Sequence, residues 1–284
     1  MNDDDAKLVT RFDDIYNLPD CTRYYQAMHA AGFQNAQHAV RAFKVAAREL
    51  CRQRNTGALH VLDFASGYGI GSLLLRHDLS LAQVLDRYQG SEFSGASPSR
   101  VIEWDRDWLL QNRKPGNIAS ICAVDVADNA LDYGAKTGIF DVAYAIDLQS
   151  DSPSDGMAEI LRRCDLLIEV GSVIHLLPDA LKRLLDLTAG RLPWIITSPI
   201  RGNESGESVA MMQESGMVVE ELPIPPFPHR RFLDGAEQER ATRLVGERGH
   251  DPDGYESTGA YHAQLYLSRP EHESGRSIRW DDRD

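Results

Sequence analysis

"VLDFASGYGIGSLLL", Val61 to Leu75, decides how this chain is read. It opens as an apolar run ending on an acid, Asp63, passes glycines at 67, 69 and 71, and continues as a leucine-rich stretch. The apolar run predicts a buried strand, and the leucines beyond the glycines predict a helix. Glycines between two such elements suit a tight turn where backbone meets a ligand and the helix start presents free N–H groups. A dinucleotide-binding turn reads G-x-G-x-x-G, but here the sixth position is Ser72. Asp63 also argues against a pyrophosphate, because a carboxylate beside it repels an anion; it suits a ligand carrying positive charge.

Working outward, short apolar runs recur: 58–65, 120–125, 142–147, 164–171, 192–199, 217–224 and 260–268. The first five show little polar alternation, the pattern of parallel strands covered on both faces. The last alternates and predicts an antiparallel strand near an edge. Helical patterns fall between them, including "ADNALDYGAKTG", whose Gly138 suits a helix C-cap, and "LPDALKRLLDLTAG". This order predicts right-handed βαβ crossovers in an open α/β sandwich.

The strand ends carry a resemblance. "VLDFASGYG" resembles motif I of the class I S-adenosylmethionine-dependent methyltransferases, with Ala65 where that family has its first glycine. The resemblance implies a Rossmann-like α/β fold with a seven-stranded sheet whose last strand is antiparallel, and S-adenosyl-L-methionine as cofactor. It implies cofactor contacts from Asp63, Ala65, Gly67 and Gly69. Asp125, ending "SICAVD" with Val126 after it, matches the acid that takes the ribose hydroxyls. Asp147, with Leu148 beside it, matches the residue facing the adenine amine. "DLLIEVGSVIHLLPD" (165–179) resembles the fourth-strand motif, with Ile174 replacing a first histidine and His175 keeping the second. His175 is expected either as a packed, hydrogen-bonded residue or as the base near the acceptor. Glu169 is expected at the methionine end of the cofactor, as an ammonium contact, an acceptor-orienting group or a base, and Asp165 as a cap or brace of the strand.

Four regions depart from this pattern: two flank the domain, which spans 58–270, and two are inserted in it. Residues 1–57 form a helical leader, expected to fold as a lid over the cofactor, with Tyr24, Tyr25 and Gln37 lining a substrate pocket. Residues 78–118 form an insertion of two helices, one begun by Pro98, expected to be structural rather than a lid. A second, charged insertion spans 225–258 and contains "PHRRF" (228–232), and 271–284 reads as a surface tail. Arg201 and the "PHRRF" arginines are read either as solvated charges or as anchors for a substrate carboxylate.

Composition narrows the partners. The net charge of −13 disfavours nucleic acid and anionic membranes. The four cysteines lack CxxC or CxH spacing, so no metal site is expected and reduced thiols are. The acidic start "MNDDDAKL" is unlike a secretory signal, and no apolar run nears the ~20 residues that span a bilayer. The expectation is a cytoplasmic methyltransferase acting on a small molecule, with oligomeric state left open. Rival readings are an enzyme that uses the cofactor's aminobutyrate arm and releases methylthioadenosine, a non-catalytic cofactor-binding module, and, least favoured, a nicotinamide oxidoreductase.

Overall fold

A computed structural model describes residues 13–171, 175, 177–188, 190–203 and 206–280. Ile174, the first twelve residues of the leader and the last four of the tail lie outside the described residues. The leader forms α1 (Asp13–Tyr16), α2 (Thr22–Ala30) and α3 (Asn35–Arg54). The motif stretch forms β1 (Leu59–Phe64) and α4 (Ile70–Arg76), and the first insertion forms α5 (Leu81–Arg87) and α6 (Pro98–Gln111). Alternating units follow: β2 (Ile118–Asp125), α7 (Asp128–Thr137), β3 (Val142–Ala145), α8 (Asp155–Arg162), β4 (Leu166–Gly171), α9 (Pro178–Thr188) and β5 (Trp194–Pro199). The chain ends with α10 (Gly206–Glu214), β6 (Met217–Glu221), β7 (Phe227–Arg231), α11 (Gly235–Glu247), β8 (Ala260–Ala263) and β9 (Tyr266–Pro270).

Among the described residues, seven strands form one sheet in the order β3-β2-β1-β4-β5-β9-β6. The first five pair in parallel, and β9 runs antiparallel between β5 and β6. This is the Rossmann-like methyltransferase sheet that the resemblance implies. The period-2 alternation of the strands sends Val61, Ile121, Ile168 and Ile196 into one core layer with α3, α4 and α7. Leu62, Val124, Leu167 and Ile195 enter the other, with α8, α9 and α10. Gly138 caps α7 in left-handed backbone (φ 81), as expected.

Two expectations change. The run 260–268 is not one strand. It breaks at Gln264 and Leu265, where the Gln264 side-chain amide donates to the carbonyls of Leu222 and Ile224. Its first half, β8, pairs with β7 in a separate two-stranded ribbon, so the second insertion captures half of the expected strand. The leader, expected as a lid, is in large part a packing element. Its long helix α3 buries Ala36, Ala39, Val40, Phe43, Ala46 and Leu50 in the sheet's first core layer, in the role of a crossover helix. Only the part before α3 remains for an edge position.

The first insertion is pinned by one buried acid. Asp105 of α6, fully buried, accepts from the hydroxyls of Tyr88 (3.0 Å) and Tyr133 of α7 (2.8 Å) and from Arg87 Nε (2.9 Å). Tyr88 in turn stacks on Tyr25 of α2 at 5.1 Å between centroids, and its carbonyl accepts from Gln26. Insertion, leader and α7 are thus joined at one point. Replacing Asp105 by Leu strands two buried hydroxyls and a guanidinium, and is expected to cost about 3 kcal/mol or more in urea denaturation. A loss under about 1 kcal/mol, the size of an ordinary surface change, contradicts the pin.

Candidate active site

The glycine turn is built by conformation and by close packing. Gly67 (φ +50) and Gly69 (φ +76) stand in left-handed backbone. A Cβ on Gly67 would lie 2.7 Å from the Tyr16 hydroxyl, and one on Gly69 would lie 2.5 Å from Phe140 Cζ. Ala65 adopts the same region (φ +51) without a glycine's freedom, which explains why the resembled motif prefers glycine there.

Three carboxylates gather at this edge of the sheet. Asp63 ends β1 buried, and its Oδ2 accepts from the hydroxyl of Ser72. The residue that breaks the dinucleotide pattern therefore holds the motif's acid. Burial pushes Asp63 up to about 7, against the opposing pull of the Ser72 hydrogen bonds. Asp125 ends β2; its Oδ2 accepts from Gly67 N–H (2.8 Å) and the Tyr16 hydroxyl (3.1 Å), and its Oδ1 from Ala127 N–H (2.9 Å). Asp147 follows β3, exposed, with Oδ1 accepting from Gln149 N–H at 2.9 Å.

All three line one cavity of about 540 Å³. Ala65, Val126, Leu148 and Tyr24 line it too, with Tyr16, Met28 and Phe33 of the leader. Gly67 and Gly69 shape the turn beside it rather than its wall. Among the described residues, none of the lining comes from 78–118.

Five further expected site residues lie outside this cavity. His175 is buried, with Nε2 3.1 Å from Thr197 Oγ1, and burial lowers it to about 4. Glu169 is fully buried beside Thr197 in the sheet register. Strand alternation turns Val170 toward the cavity and Glu169 to the opposite face with Leu167. Tyr25 is spent on Tyr88, and its hydroxyl reaches the Tyr68 carbonyl at 3.4 Å. Gln37 neighbours His38, with their Nε2 atoms 3.4 Å apart. Arg201 pairs with Glu256 Oε2 at 2.8 Å and lies over Tyr255, so it is an internal ion pair rather than a substrate anchor. Asp165 braces the strands, accepting from His60 N–H and Arg191.

Sequence reasoning missed Asn203, gave His229 no role of its own, and read Arg230 of "PHRRF" either as a solvated charge or as an anchor for a substrate carboxylate; all three line the cavity. Their signal was weak because the second insertion reads as polar surface. Among the described residues, no cluster fit for a metal ion occurs, and no helix is long and apolar enough to cross a membrane.

No family model matches the chain, and no curated protein does. Among solved structures it is similar to the bifunctional kinase-methyltransferase WbdD, at 15% identity and a TM-score of 0.46, over 96% of this chain and 47% of that one. The chain thus spans just under half the length of the WbdD chain. It is also similar to a TehB-like SAM-dependent methyltransferase from Corynebacterium glutamicum, at 13% identity and a TM-score of 0.37, covering 87% and 95% of the two chains. A third is the magnesium protoporphyrin IX methyltransferase ChlM from Synechocystis, with bound SAM, at 11% identity and a TM-score of 0.41, covering 90% and 94%.

The raised Asp63 carboxyl sets a pH signature. The folded protein holds this proton more tightly than the unfolded chain, so the contribution is fully present below the ordinary value of 3.8 and is lost as pH rises toward about 7. Asp63→Asn removes the titration. Wild-type stability, measured against that variant by urea denaturation, should therefore fall between those two values and level off above them. A difference that stays constant with pH shows that Asp63 titrates alike in the folded and unfolded chains and is not raised by burial.

Proposed function

We propose that this chain is an S-adenosylmethionine-dependent methyltransferase acting on a small molecule. The observation that supports it is that one cavity is lined by Asp63, Asp125 and Asp147, the acids at the ends of three adjacent parallel strands. Their chemistry fits the cofactor. Asp63 is a desolvated carboxyl that a ligand ammonium would hold in its charged form. Asp125, fixed by two backbone N–H groups, is a carboxylate suited to accept from a ribose diol. Asp147, exposed on the cavity wall, suits an amine donor.

When bound, the cofactor supplies an electrophilic methyl group. The chain's own part is to bind, orient and exclude water. The leader contributes Tyr16, Tyr24, Met28 and Phe33 to the wall, and a cavity of about 540 Å³ is of the size that encloses a small ligand. His175 lies outside this space, so the reading assigns it no proton transfer. The net charge of −13 supports the accompanying view that the enzyme has no nucleic-acid or anionic-membrane partner.

Two measurements test the reading. Calorimetry with S-adenosylhomocysteine should show binding that weakens about tenfold or more in Asp125→Ala, the loss of a charge-assisted hydrogen bond. Unchanged affinity in the folded variant rejects the ribose assignment. Incubation with labelled cofactor and acceptor extracts, followed by mass spectrometry, should yield S-adenosylhomocysteine. Methylthioadenosine would instead mean reaction of the aminobutyrate arm, and neither product, with binding intact, would mean a non-catalytic module.

A further inference from the structure

The cavity has walls that the three carboxylates do not account for: Met28 and Phe33 of the leader, Val170 of β4, Ile200 and Asn203 after β5, and His229 of β7. His229 is held in one protonation state by its surroundings. Asn35, at the start of α3 and fully buried, directs its amide nitrogen to the Ser198 carbonyl at 3.2 Å and to His229 Nδ1 at 2.9 Å. A carbonyl only accepts, so Ser198 fixes which end of the Asn35 amide is NH₂. That NH₂ then donates to His229 Nδ1, which must be unprotonated. Burial and the neighbouring Arg230 lower His229 to about 3, so the ring is neutral at physiological pH. Its one proton is then on Nε2, the ring nitrogen that Asn35 does not engage, and His229 lines the cavity. Backbone bonds lock the arrangement: Gln34 N–H donates to the His229 carbonyl at 2.8 Å, and Arg231 N–H to that of Ala31 at 2.9 Å.

The surrounding charges are already matched. Arg230 gives Glu237 two hydrogen bonds, at 2.9 and 2.8 Å, and lies over the Tyr261 ring. The other walls, apart from the Asn203 amide, are apolar, and an ionised ligand would bring an uncompensated charge among them. We propose that this part of the cavity binds an uncharged, largely apolar molecule bearing an oxygen or nitrogen hydrogen-bond acceptor, and that His229 donates to it through Nε2–H. Asn35 is the positioning residue that sets the tautomer. With Nδ1 engaged and Nε2 already protonated, His229 orients this ligand and does not deprotonate it. The proposal rests on the methyltransferase reading only in identifying the ligand as the methyl acceptor.

The test has a spectroscopic arm and a binding arm. In protein labelled with ¹⁵N-histidine, long-range ¹⁵N–¹H spectra at neutral pH should show the His229 ring, assigned through His229→Gln, neutral and protonated on Nε2. In Asn35→Leu that ring should become a mixture of tautomers. Ligand-observed NMR on protein saturated with S-adenosylhomocysteine then compares acetophenone, toluene and benzoate. Acetophenone should bind about tenfold more tightly than either of the others. His229→Gln, which keeps a donor, should preserve that preference, and His229→Leu should make acetophenone and toluene equal. A ring protonated on Nδ1, benzoate binding as well as acetophenone, or a preference that survives His229→Leu overturns the proposal. If S-adenosylhomocysteine does not bind, the methyltransferase reading falls; the tautomer spectrum and the same ranking without it still decide this one.

Discussion

The site depends on the Asp125 carboxylate. Its oxygens accept from the glycine turn, from the backbone leading into α7 and from Tyr16 of the leader, which lies 109 positions from Asp125 in sequence. Such bonds to an ionised acceptor are about twice as strong as neutral ones, and their geometry fixes where the turn sits relative to the end of β2. The turn in turn sets the start of α4, whose Ser72 reaches back to Asp63. The carboxylates of β1 and β2 are therefore one connected arrangement rather than two strand-end acids.

The parts of this arrangement legible in the sequence are those specified locally. A buried strand, a glycine turn and a helix follow each other within a few residues, and the acids at the ends of β1 and β2 and just after β3 were found through the family resemblance of those strand ends. The helical period of α3 was equally legible, but periodicity shows that a face is apolar, not what covers it. Its alanine-rich face went to the sheet, leaving, among the described residues of the leader, only Tyr16, Tyr24, Met28 and Phe33 for the cavity. Glu169 was misplaced for a different reason. Applying strand alternation from Ile168 and Val170 would have sent it to the opposite face; the family pattern was followed instead of the pleat.

His229 shows what local reading cannot reach. Nothing in "PHRRF" marks one histidine as cavity lining, because its role is made by Asn35 and Ser198, the latter's carbonyl reaching it only through the amide of Asn35. Arg230 and Arg201 were read as solvated charges or as anchors for a substrate carboxylate, and both are buried ion pairs, with Glu237 and Glu256. A charged run signals surface only when its partners are absent, and those partners lie within the same insertion.

The place of β9 has a consequence for how the chain is made. β9 stands between β5 and β6, yet it follows both of them in sequence, after the whole second insertion. During synthesis on a ribosome, β5 emerges with an unpaired edge, and β6 emerges without the neighbour that admits it to the sheet. Both wait for Tyr266–Pro270. An open edge on a nascent parallel sheet is a template for pairing with another chain, and non-local closure of this kind is slow. The partly made protein is therefore most exposed to self-association late in translation, while α11 and the ribbon strands are being added and the sheet is one strand short of closure.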